Sequence, residues 1–175
     1  MSWRWLSFRA GDWRAYGAGA RARAGGCPGS AVRRPGGPLA VNYTRLKPHV
    51  ATAGLLRDGA IPVLKALGFA TIVDLRSPAE GAGAEQQAAA AAGLRYVNIP
   101  VTGGVPTDAQ VAEFARVVED PNNAPLLVHC ASANRVGAMW TLYRVRQGIP
   151  LAIALEEGRT AGLRPDREAE LRKRL

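Results

Sequence analysis

Apolar and polar positions change their period several times after residue 41, and each change predicts an element. The segment "IPVLKALGF" (61–69) spaces its aliphatics for one helical face and stops at Gly68. "TIVDL" (71–75) is a β-branched run without alternation, as expected of a strand buried on both faces. "AEQQAAAAAG" (84–93) consists of strong helix formers and closes on Gly93. "RYVNIP" (95–100) reads as the next strand. "TDAQVAEFARVV" (107–118) opens on a capping Thr107 or Asp108 and sets Val111, Phe114 and Val118 on one face. Past the turn cluster "DPNNAP" (120–125), "LLVHC" forms a strand and "RVGAMWTLYRVRQG" a helix closed by Gly148 and Pro150. Two further helical stretches, 150–162 and 166–174, complete the chain. Strands alternating with helices predict a single α/β domain over residues 41–175, with a central, mostly parallel sheet flanked by helices.

Residues 1–40 have a different texture, rich in Gly, Ala, Arg and Pro and poor in anything to bury, so a disordered tail is expected there. The tail also explains the basic pI near 10.5. It holds seven Arg against Asp12 alone, a balance of +6, whereas residues 41–175 hold 16 basic and 13 acidic side chains, or +3. The folded part is therefore not expected to bind nucleic acid through charge. Trp3, Trp5 and Trp13, interleaved with Arg4, Arg9 and Arg14, could form a membrane-surface or nucleic-acid patch, or simply an unstructured extension. No apolar run is long enough to span a bilayer and no secretory signal is visible, so a cytoplasmic location is the expectation.

Two cysteines, Cys27 and Cys130, make no disulfide framework. Cys130 stands where a buried strand runs into a helix, in "PLLVHCASANRVGAMW" (125–140). Ligands of open α/β sheets sit beyond the carboxyl ends of the strands, and a helix starting at Asn134 or Arg135 would aim its N-terminus at that spot. Ala131, Ser132 and Ala133 are small enough for the backbone to wrap an oxyanion with its N–H groups. Arg135 adds a planar fork that can hold two phosphate oxygens. That positive surrounding favours the thiolate of Cys130, a nucleophile facing a bound tetrahedral anion.

"VHCASANR" resembles the signature of cysteine-dependent phosphatases, a His-Cys pair, a loop and an Arg. Together with "NYTRLKPHVATAG", "GFATIVDLRS", "GLRYVNIPV" and "EEGRTAGLR", residues 42–165 are similar to the bacterial dual-specificity (protein-tyrosine-phosphatase-like) domains. In some proteins those domains are fused to NAD-kinase or β-lactamase-hydrolase-like modules. The resemblance implies a hydrolase that dephosphorylates a phosphate monoester through a phosphocysteine intermediate, without metal or cofactor. Cys130 would be the nucleophile, and Arg135 would bind the phosphoryl group with the backbone of Ala131, Ser132, Ala133 and Asn134. His129 would support the loop from behind. The family takes its general acid from an aspartate on an upstream loop, which here points to Asp108, 22 residues before Cys130 and after "VTGGVPT". Asp108 could equally be a helix cap. Asp74 and Arg76, at the end of the 71–75 strand, are further candidates for substrate contact. The partner would be a phosphorylated protein or small molecule, and no feature of the sequence assigns an oligomeric state.

Three departures qualify the resemblance. The gap between Cys130 and Arg135 is four residues, one shorter than usual, Ala133 replaces the usual loop glycine, and Val136 replaces a hydroxyl residue that assists hydrolysis of the intermediate. Slow turnover is the consequence unless Ser132 substitutes. Rhodaneses, which transfer sulfur through a cysteine persulfide, also use a four-residue gap, and "DLRSPAE" (74–80) fits their Asp-x-Arg-x-x-x-Glu pattern. Their Gly-His-Ile segment is missing, and His129 with the helices beyond residue 150 favours the phosphatase. A non-catalytic phosphate-binding or interaction domain is the third reading.

Overall fold

The computed structural model describes the chain from Leu39 to Leu175 and the backbone of two short strands before it, β1 (Arg33–Arg34) and β2 (Gly37–Pro38), which pair antiparallel. The expectations for Cys27, for the Trp/Arg interleaving and for disorder before residue 33 lie outside the described residues. Leu39 and Ala40, assigned to the tail by composition, are 2 % and 7 % exposed and belong to the core. Ala40 bridges to Leu56, and Arg57 N–H donates to the Leu39 carbonyl at 2.9 Å. A composition count cannot see two apolar residues that end a Gly/Pro-rich stretch by packing.

The remaining strands are β3 (Thr44–Lys47), β4 (Val50–Ala53), β5 (Thr71–Asp74), β6 (Arg95–Asn98) and β7 (Leu126–His129). They form one sheet in the order β3-β4-β7-β5-β6, with β3 antiparallel to β4 and every other pair parallel. The hairpin β3–β4 was not read from sequence: Pro48 and His49 make a tight connection, and Val-Ala-Thr-Ala carries little strand signal. β7 lies at the centre, flanked by β4 and β5, and all four of its residues are buried. That double-sided burial is why "LLVH" reads as an apolar run rather than an alternation.

The helices are α1 (Ala60–Ala66), α2 (Ala82–Ala91), α3 (Asp108–Glu119), α4 (Asn134–Arg146), α5 (Leu151–Thr160) and α6 (Pro165–Arg174). Successive strand residues face opposite ways, so Ile72 and Leu127 pack with Ile61 and Leu64 of α1 and Ala89 of α2. Val73 and Val128 pack on the other side with Phe114 of α3, Met139 and Trp140 of α4, Leu155 of α5 and Leu171 of α6. α4 is buried from Val136 to Tyr143, so it runs through the core as a rigid support. The expected α/β architecture is the one observed.

Candidate active site

Cys130 follows β7 directly and Asn134 opens α4, so the intervening loop is pinned between the centre of the sheet and a buried helix. Its carbonyls are turned outward. The carbonyl of His129 accepts from Leu75 N–H at 2.9 Å, and that of Ala131 from Leu55 N–H at 3.0 Å. Asn42 Nδ2 donates to the Ser132 carbonyl at 3.3 Å. Gly54 allows this wall to come close, since a Cβ there would lie 3.1 Å from the Ala131 carbonyl oxygen. With the carbonyls engaged outward, no N–H from Ala131 to Arg135 finds an acceptor among the described residues. That leaves a ring of donors at a helix N-terminus, the arrangement that binds an oxyanion.

The turn into α4 requires a left-handed residue, and Ala133 supplies it with φ of 69°. A side chain there costs about 1–2 kcal/mol relative to glycine's freedom. Gly162, in the α5–α6 connection, packs against this point: with φ of 113°, a Cβ on it would fall 2.6 Å from the Ala133 Cβ. Arg164 N–H donates to Asn134 Oδ1 at 2.9 Å, so the α5–α6 connection is tied to the loop twice.

Arg135 is held from several sides. Its Nη1 donates to Glu80 Oε2 at 2.8 Å, Nη2 to Glu80 Oε1 at 2.5 Å, and Nη1 also reaches the carbonyls of Val101 (3.1 Å) and Leu75 (3.3 Å). The guanidinium has five N–H donors. Glu80 takes the end formed by the two Nη atoms, so the Nε–Nη2 edge stays available for an anion. Hydrogen bonding from Arg135 holds the Glu80 carboxyl down to about 2. The hydrogen bond from Arg135 to Glu80 raises the pKa of Arg135 above its ordinary value against the effect of burial. Cys130 itself is 1 % exposed.

Asp74 and Arg76, expected to touch substrate, lie behind the loop at 0 % and 5 % exposure. Arg76 Nη2 donates to Asp74 Oδ2 at 2.8 Å and to Glu85 Oε2 at 2.7 Å, and Tyr96 Oη donates to Asp74 Oδ2 at 2.6 Å. Burial pushes the Asp74 carboxyl up, but Arg76, His129 and Tyr96 outweigh it and hold it below its usual value. Burial and the Asp74 charge raise the Tyr96 phenol well above its ordinary value. His129 is fully buried, with Nε2 2.6 Å from Glu85 Oε1 and 3.6 Å from Asp74 Oδ1. Neither nitrogen meets hydrogen-bond geometry, so the Glu85 contact is close but misaligned. Asp74, Glu85 and His129 offer ligand atoms within 4.8 Å of one another. A metal does not fit there, because the Arg76 guanidinium already supplies the positive charge between the two carboxylates.

A cavity of about 440 Å³ opens over the loop, lined by Ser132, Asn134 and Arg135, by Ser77 and Glu80, by Val101, Thr102 and Gly103, and by Arg167 of α6. Asp108 is not part of this lining. It is the first residue of α3, 94 % exposed at its side chain and paired with Arg174 of α6. The helix cap is Thr107, whose Oγ1 accepts from Gln110 N–H at 3.3 Å while the Gln110 side chain accepts from Thr107 N–H at 2.8 Å. A larger cavity, about 500 Å³, lies between α3 and α4 beside Arg116 and Tyr143. Cys130 lines neither this cavity nor the one over the loop; it lies buried in the same loop and helix start that give Ser132, Asn134 and Arg135 to the latter. Sequence reasoning missed Glu80, Glu85, Tyr96 and Arg167 as parts of this region. Only Glu80 left a signal, as the last position of Asp-x-Arg-x-x-x-Glu.

The family described as DSP-PTPase phosphatase fused to NAD+ kinase matches residues 51–171 of the chain. The chain belongs to that family. It is also 36% identical over 86 residues to a beta-lactamase hydrolase-like protein of Xylella fastidiosa, and 29% identical over 109 residues to one of Agrobacterium fabrum. These matches cover 46% and 59% of this chain but only 20% and 25% of those proteins. Among solved structures, a putative phosphatase (DUF442) of Shewanella putrefaciens superposes with a TM-score of 0.61 at 23% identity, covering 77% of this chain and 91% of that one. The core catalytic domain of the yeast PP-IP phosphatase SIW14 gives 0.62 at 18% identity, covering 76% and 85%. Pseudomonas aeruginosa TpbA in complex with pTyr gives 0.61 at 24%, covering 75% and 83%. The sheet and helices are thus those of the phosphatase fold. Among the described residues, no helix is long and apolar enough to cross a membrane.

Proposed function

We propose that this domain hydrolyses a phosphate monoester through a phosphocysteine intermediate formed on Cys130. The observation that carries the reading is the loop itself: Cys130 at the end of the central strand, free N–H groups from Ala131 to Arg135, and a guanidinium held in place by Glu80. The loop donors and the Arg135 edge take the three non-bridging phosphoryl oxygens, stabilising charge as it is redistributed. The Cys130 thiolate attacks phosphorus while the ester oxygen leaves and takes up a proton. Water then attacks the phosphocysteine, phosphate departs and the thiolate is restored.

Asp108 is the acid this reading nominates, and to serve it must leave Arg174 and swing toward the loop. Glu80 lines the cavity but is ionised at neutral pH, so it has no proton to give. Val136 offers no hydroxyl to the departing thiolate, and Ser132, which lines the cavity, is the nearest substitute. The second step is therefore the slow one. The substrate is a phosphorylated small molecule or protein, as the PP-IP and pTyr associations of the structural neighbours illustrate for those proteins.

One preparation tests the reading in two assays, aryl-phosphate hydrolysis and sulfur transfer from thiosulfate to cyanide. Phosphatase activity blocked by vanadate and absent from Cys130→Ser is the expected result. Sulfur transfer without phosphate release would make the domain a rhodanese-like sulfurtransferase, and neither activity would leave an anion-binding module.

A further inference from the structure

The cavity over the catalytic loop holds a second guanidinium that the phosphoryl-transfer scheme does not use. Arg167 comes from the first turn of α6, 32 residues beyond Arg135 in sequence, and lines the same cavity as Arg135. Its Nη1 donates to the carbonyls of Gly103 (3.3 Å) and Gly104. Its Nε is buried and has no acceptor. Neighbouring arginines on α6 differ: Arg172 pairs with Glu168 and Arg174 with Asp108. No carboxylate pairs with Arg167 among the described residues.

A guanidinium that is partly buried, without an ion-pair partner and left with an orphaned N–H is costly unless water or a ligand completes it. The balance of charge in the cavity points the same way. Glu80 is the only acidic side chain of the lining and is paired with Arg135, so the lining itself offers Arg167 no carboxylate. The N-terminus of α4 adds partial positive charge from the floor.

The walls also restrict the kind of substrate. Ser77, Thr102, Ser132 and Asn134 are polar, Val101 is the only aliphatic side chain, and no aromatic ring is present to receive a phenyl group. A volume of about 440 Å³ suits a small molecule. Resting on the phosphatase reading above, we infer that the substrate is a compact phosphate ester carrying a second phosphate, which Arg167 binds while Arg135 and the loop hold the one that is cleaved.

The opposing possibility is that Arg167 only straps the 103–104 segment to α6. A strap would affect all substrates alike, whereas a receptor for a second phosphate acts on the ratio between substrates. The full chain is assayed on matched pairs of monophosphates and bisphosphates with different spacing: glycerate 2-phosphate with 2,3-bisphosphate, ribose 5-phosphate with 1,5-bisphosphate, and fructose 6-phosphate with 1,6-bisphosphate. In at least one pair the bisphosphate is expected to have a kcat/KM at least about tenfold higher, the range for hydrogen bonds to a charged group. Arg167→Gln should lower that ratio by about tenfold or more, and Arg167→Lys should restore part of it. Both substrates are read on one preparation, so a partly unfolded variant lowers both rates without moving the ratio. No preference in any pair, or a ratio unchanged in Arg167→Gln, overturns the inference. Calorimetric binding of the same compounds to Cys130→Ser separates it from the phosphatase reading. Tighter bisphosphate binding that is lost in the added Arg167→Gln supports the anion site even if the wild type releases no phosphate.

Discussion

Glu80 and Arg135 meet across 55 residues of sequence as a two-point ion pair, with both carboxylate oxygens on both Nη atoms at 2.8 and 2.5 Å. The pair sets the plane of the guanidinium and leaves its Nε–Nη2 edge free of Glu80. Glu80 is itself fixed, because Ser77 N–H donates to its Oε2 at 2.9 Å in a capping box. Orientation of Arg135 is thus built from a short 3₁₀ turn after β5, not from the loop alone.

Glu80→Gln keeps the size of the side chain and removes its charge. Vanadate affinity and kcat/KM on aryl phosphate are expected to fall by about tenfold, the size of one charge-assisted hydrogen bond. A rise in either would mean that Glu80 competes with the substrate for Arg135 instead of positioning it.

The same carboxyl has a pH signature. Its pKa is lowered from 4.5 to about 2, so the stabilisation it contributes is fully present above the unfolded value and is lost as pH falls toward 2. The difference in melting temperature between wild type and Glu80→Gln should therefore shrink between pH 5 and pH 2. Its size will be modest, because the Glu80 side chain is 37% exposed and screened by solvent. A difference constant over that range would show that the pair does not couple to folding.

Ala133 and Gly162 test the geometry of the loop. Ala133→Gly should stabilise the domain by roughly 0.5–1 kcal/mol in urea unfolding, since glycine adopts the left-handed turn freely. Gly162→Ala should cost roughly 2–4 kcal/mol, because its Cβ would collide with Ala133 and its φ is positive. The cost should drop when the two changes are combined, which removes the Cβ collision and leaves the backbone strain and the 3.2 Å approaches to the backbone of residue 133. Additive effects would mean that the two residues do not touch in solution.

Arg76 is the counter-charge for two buried carboxylates. Arg76→Ala should destabilise the fold by about 3–5 kcal/mol, because Asp74 and Glu85 would lose their partner away from water. Adding Asp74→Asn should recover part of that loss. A cost below about 1 kcal/mol would show that water enters to replace the guanidinium.

Asp108→Asn separates an acid from a surface residue. If Asp108 protonates the leaving oxygen, the variant loses about 10²–10⁴-fold on alkyl phosphates and far less on activated aryl phosphates. Thr107 carries the cap, so melting should not change. Equal, small losses on both substrates would leave Asp108 as the partner of Arg174 and pass the proton to water.

The sequence by itself determined the alternation of strands and helices after residue 60, the two-sided burial of a strand with no polar face, and the placing of Cys130 and Arg135 on either side of a small-residue loop. These are local properties: period, β-branching, caps, and the short distance between two residues of one loop. Ala133 was visible as a departure from the loop glycine of the family the sequence resembles, and the structure added that the backbone turns left-handed there. The tertiary structure decided what the neighbours of that loop do. Asp74 and Arg76 end a strand at the ligand edge, yet they turn inward because Glu85 and Tyr96, from α2 and β6, complete their hydrogen bonds there. Glu80 and Arg167 reach one cavity from segments 87 residues apart, and Asp108 is drawn aside by an arginine near the end of the chain. Charged side chains carry no periodic signal for such meetings, because their partners are chosen by how the helices pack against the sheet.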